Sequence, residues 1–123
     1  MAEPRPYQRN AADPQQVRFA ERKERQKAQR YANGLRAVMS SPEGRLVMGE
    51  LLERSGLWRT SWDPSARIHF NEGRRNFGLE LLADIQNVDE EAYLLMERER
   101  RALIRRESAE AEANQTPPAG GQQ

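Results

Sequence analysis

The chain has 123 residues, 37% hydrophobic and 32% charged, with a formal net charge of +1. That length holds one domain at most, and the apolar share falls below the usual ~45–50%, a figure that counts glycine, so the core must be smaller than the chain. The absence of cysteine excludes a disulfide framework and thiolate chemistry and fits a reducing cytosol.

No apolar run approaches the roughly 20 residues of a membrane span, so no membrane partner is expected. Met1-Ala2-Glu3-Pro4-Arg5-Pro6 lacks the apolar region of a signal peptide. The expected place of synthesis is a cytoplasm. Charge is unevenly spread. Residues 1–40 hold nine basic and four acidic side chains, residues 41–87 six and seven, and residues 88–123 five and eight. A basic front and an acidic back suit head-to-tail association or an acidic partner; pairing of the two ends within one chain is equally allowed.

Residues 1–12 are polar, carry Pro4 and Pro6, show no periodicity and read as a flexible arm. A helical domain is expected over 13–106. Asp13-Pro14-Gln15-Gln16 is a helix start, with Asp13 as N-cap, Pro14 as first residue and Gln16 as reciprocal partner. The first helix is expected over about 14–39. Its front half is mostly charge, whereas Ala28, Tyr31, Ala32, Leu35, Val38 and Met39 form an apolar stripe. It reads as one helix anchored at its C-terminal end, with its N-terminal end projecting.

Ser41-Pro42-Glu43 repeats the start signal, so a second helix is expected over about 42–55, with Leu46, Val47, Leu51 and Leu52 inward and Gly56 as a left-handed C′ residue. Gly56 to Trp62 reads as a loop holding both tryptophans. Asp63 and Pro64 have the chemistry of N-cap and first residue of a third helix, expected over about 64–86. Phe70, Phe77, Leu81 and Ile85 share helical spacing there, the densest apolar set in the chain, so the other elements are expected to pack around this helix. Gly73 and Gly78 inside it each cost about 1 kcal/mol against alanine and suggest close approach by another backbone. Asp89 can cap a fourth helix, expected over about 89–110, with Glu90 and Glu91 in its first turn. Ala92, Leu95, Met96 and Leu103 give it a thin apolar face, and charge and alanine dominate beyond Glu99. Residues 114–123 read as a disordered tail. With no strand pattern anywhere, the fold class is all-α: a small four-helix domain with a long basic N-terminal helix, a charged C-terminal helix extension and disordered ends.

Catalytic chemistry finds little support. His69 is the one histidine, and its pairing with Glu72 three residues on is too small a set for a metal site. No glycine-rich phosphate loop or serine elbow is present, so neither an enzyme nor a cofactor is expected. Nucleic-acid binding is the stronger rival. Arg18, Arg22, Lys23, Arg25, Lys27 and Arg30 crowd one helical stretch and can lie along phosphates, with Arg5 and Arg9 adding contacts from the arm. Glu21 and Glu24 interrupt that patch, and a mixed-charge solvated helix is the plainer alternative.

Protein contact has two candidate regions. Trp58, Arg59 and Trp62 sit on the loop, where one tryptophan is expected to close the core and the other either to join it there or to serve as an exposed interface anchor. Arg74 and Arg75, beside the apolar stripe, are either solvated charge or an anchor for a carboxylate or phosphate.

Ser41-Pro42-Glu43-Gly44-Arg45, Leu51-Leu52, Gly56, Glu72-Gly73-Arg74-Arg75-Asn76-Phe77-Gly78-Leu79, Leu81-Leu82 and Tyr93-Leu94-Leu95-Met96 together resemble a small family of tailed-bacteriophage proteins. That family was first noted in a Bordetella phage, and its genes lie among head and portal genes. The resemblance covers about residues 14–100 and is most specific at Glu72–Leu79. It implies a virion or virion-assembly protein, made in the host cytoplasm, with no catalytic residues to carry over. The expected partners are portal, head or tail components, and self in a ring. Packaged DNA and a scaffold or chaperone role lost on maturation remain alternatives.

Overall fold

The structure is a computed structural model that describes residues 13–115. The expected arm at 1–12 and most of the expected tail lie outside the described residues. Four helices follow in order: α1 (Pro14–Met39), α2 (Pro42–Arg54), α3 (Arg67–Val88) and α4 (Glu90–Gln115). The described residues contain no strand, and the fold is all-α.

The chain falls into two compact units, Met1–Gly34 and Leu35–Gln123. In the first, the described part is the front of α1. The Asp13 carboxylate accepts the Gln15 N–H at 2.9 Å, and the Val17 N–H bonds back to the Asp13 carbonyl at 3.0 Å. These bonds satisfy donors that a helix start leaves open. Every residue from Glu21 to Tyr31 is exposed, so this stretch buries no apolar face of its own.

The second unit holds the core. Leu35 and Met39 come from the end of α1, Leu52 from α2, Leu57 from the loop, Ile85 from α3, and Ala92 and Met96 from α4. Met48, Leu81, Leu82, Val88 and Tyr93 pack against this set. Capping chemistry fixes the joints. The Ser41 hydroxyl accepts the Gly44 N–H at 3.0 Å, with Pro42 opening α2. Gly44 is required there, because a Cβ would run into the Val38 carbonyl of the preceding helix. Gly56 takes the left-handed conformation (φ 79°) just past α2, as its sequence position predicts. Asp89 caps α4 by accepting the Ala92 N–H at 3.0 Å.

Several expectations need correction. α3 starts at Arg67 and not at Pro64. The Asp63 carboxylate accepts both the N–H and the hydroxyl of Ser65, at 2.8 and 2.6 Å. It thereby closes a local turn two residues long, and the Ser65 hydroxyl accepts the Arg67 N–H at 3.2 Å. Asp63 makes the same bond to the N–H two residues on that Asp13 makes at the start of α1; here the Ser65 hydroxyl links Asp63 to the Arg67 N–H, and the helix begins only at Arg67. α4 runs on to Gln115, so Asn114 and Gln115 are helical and not tail.

α3 is also not the hub. Its buried residues are Gly78 and Ile85, whereas α2 and α4 share the most extensive contact. Phe70 and Phe77 are 67% and 63% exposed. Helical spacing puts them on one stripe, about a quarter-turn away from Gly78, Leu82 and Ile85, and it is this second stripe that meets the core. Tyr31, Val38, Leu46, Val47 and Leu51 are likewise exposed, leaving Leu52 as the large apolar residue of α2 that is fully buried. The two glycines of α3 differ. A Cβ on Gly78 would collide with Ser55 Oγ, so a side chain, not a backbone, demands that glycine; around Gly73 the space is open.

Candidate functional site

The tryptophan loop is held by a charge network that its own sequence does not reveal. Glu53, at the end of α2, takes Arg59 Nη2 on one carboxylate oxygen at 2.9 Å and Arg100 Nη2 on the other at 3.0 Å. Arg100, on α4, lays its guanidinium over the Trp58 ring at 3.7 Å from the centroid, a cation–π stack. One carboxylate thus positions the arginine of the loop and the arginine that covers its first tryptophan. Burial pushes the Glu53 carboxyl up, but the hydrogen bonds and charges of Arg100 and Arg59 more than offset this and hold it below the usual carboxylate range.

The loop residue that closes the core is Leu57, not a tryptophan. Trp58 is 38% exposed under its arginine, and Trp62 is 69% exposed. The Trp62 backbone N–H bonds to the Thr60 hydroxyl at 3.2 Å, and Asn71 of α3 donates to the Ser61 carbonyl at 3.4 Å. These bonds fix the loop beside α3 while the Trp62 indole faces outward. That this loop exposes a tryptophan was legible as a possibility, without saying which; the Arg100 cover on Trp58 was not, because the two lie on different elements.

Arg74 and Arg75 do not act as a pair. The Arg74 guanidinium sits 5.6 Å from the Phe70 ring centroid and within 3.9 Å of where a Cβ on Gly56 would lie. Arg75 is half-buried. Neither forms an ion pair with a described residue. The six basic residues of the first helix, Arg18, Arg22, Lys23, Arg25, Lys27 and Arg30, are all exposed, and none of them pairs with a described carboxylate.

A second feature escaped sequence reading altogether. Arg45 of α2 is buried at 7% exposure. Its guanidinium donates to both carboxylate oxygens of Glu99 on α4, at 2.9 to 3.2 Å, and to the Met39 carbonyl at 3.0 Å. The hydrogen bonds that Arg45 donates to Glu99, helped by the Glu99 charge, outweigh desolvation and raise the Arg45 pKa. Beside this pair, α2 and α4 enclose a groove of about 610 Å³ whose apolar lining includes Leu46, Met96, Leu103 and Ile104. Among the described residues no group of His, Cys, Asp and Glu is placed to hold a metal, and no helix is long and apolar enough to cross a membrane.

The candidate site is a surface of exposed apolar side chains carried on the helices and the loop, with arginines beside them. A model of the Bbp19-like phage protein family matches residues 35–98. No curated protein matches the chain, and no solved structure does.

Proposed function

The chain belongs to the Bbp19-like phage protein family, and from that premise we propose that it is a non-enzymatic structural protein of a short-tailed bacteriophage particle. It works by protein–protein contact, internally or close to the portal, on other phage structural proteins of the portal, head or tail. The observation that carries the reading is the apolar surface left uncovered on a small domain: Leu46, Val47, Leu51, Trp62, Phe70 and Phe77 are each at least 44% exposed. Large apolar side chains left exposed in this number suit burial against a partner protein. The family match begins at Leu35, the first residue of the second compact unit, ends at residue 98 within α4, and holds every residue of the buried core. Quantitative peptide mass spectrometry of purified virions and of emptied particles tests the proposal. A fixed structural part is found in both at constant copy number; an internal part is found in full particles and lost on emptying. Absence from both defeats the reading.

A second reading rests on a different observation, the six exposed and unpaired basic residues on α1. They suit contact with packaged DNA through phosphates, which is sequence-independent and salt-dependent. Retention on DNA at low salt, lost on Arg22→Ala with Lys23→Ala and Arg25→Ala, supports it; no retention at low salt removes it. Those residues lie outside the family match, so this reading rests on the exposed charge of α1 alone.

A further inference from the structure

Along the chain Glu21 and Glu24 interrupt the basic residues of α1, but around the helix they stand apart from them. At about 100° per residue, Arg18, Arg22 and Arg25 form one row, and Lys23, Lys27 and Arg30 form a second. Each member of the second row follows its counterpart in the first by five residues, which sets the rows about 140° apart around the helix. The arc between them holds Gln15, Phe19, Gln26 and Gln29 and no carboxylate. Glu21 and Glu24 both lie on the far arc, behind the rows. All six basic side chains are exposed, and none pairs with a described carboxylate. Phe19, near the midline between the rows, is 63% exposed and shares an open hollow with Gln15, Arg18, Arg22 and Arg25.

Two cationic rows on the two flanks of one helix call for anions on both sides at once. A flat acidic surface meets one row and leaves the other in water, whereas a groove walled by anions meets both. The major groove of double-helical DNA is such a groove, about 12 Å wide, with a phosphate backbone along each edge. A helix with its side chains is about 10–12 Å across and fits it; the minor groove, at about 6 Å, is too narrow. A single strand offers one line of phosphates and no opposite wall. From Arg18 to Arg30 the helix spans about 18 Å, and every residue from Glu21 to Tyr31 is exposed, so both flanks are open to a partner over most of that length.

We propose that the front of α1 lies in the major groove of double-helical DNA and holds both strands. The row of Arg18, Arg22 and Arg25 meets the phosphates of one strand, and the row of Lys23, Lys27 and Arg30 those of the other. Phe19 and Gln26 face the base edges between them, and Glu21 and Glu24 face solvent, away from the phosphates. This placement rests on the DNA contact proposed above and adds to it the groove and the second strand. Phosphate contact supplies the affinity and is indifferent to sequence.

Fluorescence anisotropy of a short labelled DNA duplex, titrated with the full chain over a range of salt concentrations, tests it. Six phosphate contacts give a slope of log K against log salt of about −5. Arg18→Ala with Arg22→Ala and Arg25→Ala, and separately Lys23→Ala with Lys27→Ala and Arg30→Ala, each make the slope shallower by about 3. Both leave the helical circular dichroism spectrum unchanged, because alanine favours helix. Glu21→Gln with Glu24→Gln keeps the slope within about 1 of wild type. Methyl green, which occupies the major groove, displaces the chain, and netropsin, which occupies the minor groove, does not. A slope that depends on one row alone, binding that methyl green leaves intact, or equal affinity for single-stranded DNA overturns the groove placement and leaves simple phosphate contact standing. No binding to the duplex at low salt overturns both, and retention on polyglutamate in that case assigns the face to an acidic protein.

Discussion

Arg45 on α2 grips Glu99 on α4 with three hydrogen bonds while its remaining amino group holds the Met39 carbonyl at the end of α1. A single guanidinium therefore joins three helices at the rim of the core. The planar fork of arginine suits this task and the single ammonium of lysine does not. Glu99→Ala leaves the buried Arg45 charge with one carbonyl for company, and breaking one side of such a pair is worse than removing both. The expected order of melting temperatures is wild type, then the paired replacement Arg45→Met with Glu99→Leu, then Glu99→Ala. Arg45→Lys falls clearly below wild type. Thermal melts followed by circular dichroism give the order.

Leu52 is the fully buried leucine of α2, whereas Leu46 on the same helix is 57% exposed. Leu52→Ala is expected to cost about 2–5 kcal/mol, the range for a leucine truncated in a packed core. Leu46→Ala is expected to cost under about 1 kcal/mol. Urea denaturation of dilute protein separates them. Equal losses would contradict the burial pattern.

The two glycines of α3 predict opposite signs. Gly73→Ala gains helix propensity at an open position and stabilises the dilute chain by about 0.5–1 kcal/mol. Gly78→Ala forces a methyl group onto Ser55, which is itself buried and held by its bond to the Leu52 carbonyl. Overpacking of this kind costs about 1–3 kcal/mol and exceeds the gain in propensity. Denaturation midpoints of the two variants should move in opposite directions.

Glu53 gives a pH dependence. Its carboxyl lies below the ordinary range when folded because Arg100 and Arg59 outweigh the effect of burial. A depressed folded pKa means that the unfolded chain takes up the proton first. The contribution to stability is complete above the unfolded value of about 4.3 and is lost as pH falls through the lower folded value. Glu53→Gln should therefore lower stability near pH 7, and its deficit against wild type should shrink below about pH 4. Trp58 fluorescence should change with it, since Arg100 loses one of the bonds that hold it over the ring.

The helices themselves were legible in the residues. Asp13-Pro14, Ser41-Pro42 and Asp89 announced three starts and Gly56 one end, because capping is local chemistry between residues a few positions apart. The all-α class followed from the same signals, and the family from the run Glu72 to Leu79. At Asp63-Pro64 the same local bond closes a turn, and α3 begins three residues after Pro64, at Arg67, whose N–H the Ser65 hydroxyl accepts.

What the linear order left open was which stripe of each helix meets a neighbour. Phe70, Phe77 and Leu46 have the composition of core, yet a helix of this domain contacts its neighbours along part of its circumference, and the stripes through Ile85 and Leu52 took those places. The same holds for polar groups. Arg45 and Glu99 are 54 positions apart in the chain, and Glu53 and Arg100 are 47 apart. Periodicity and capping act within one element and can be read along it. Burial and ion pairing between elements depend on how α2, α3 and α4 are rotated against one another, and packing of the whole unit sets that rotation.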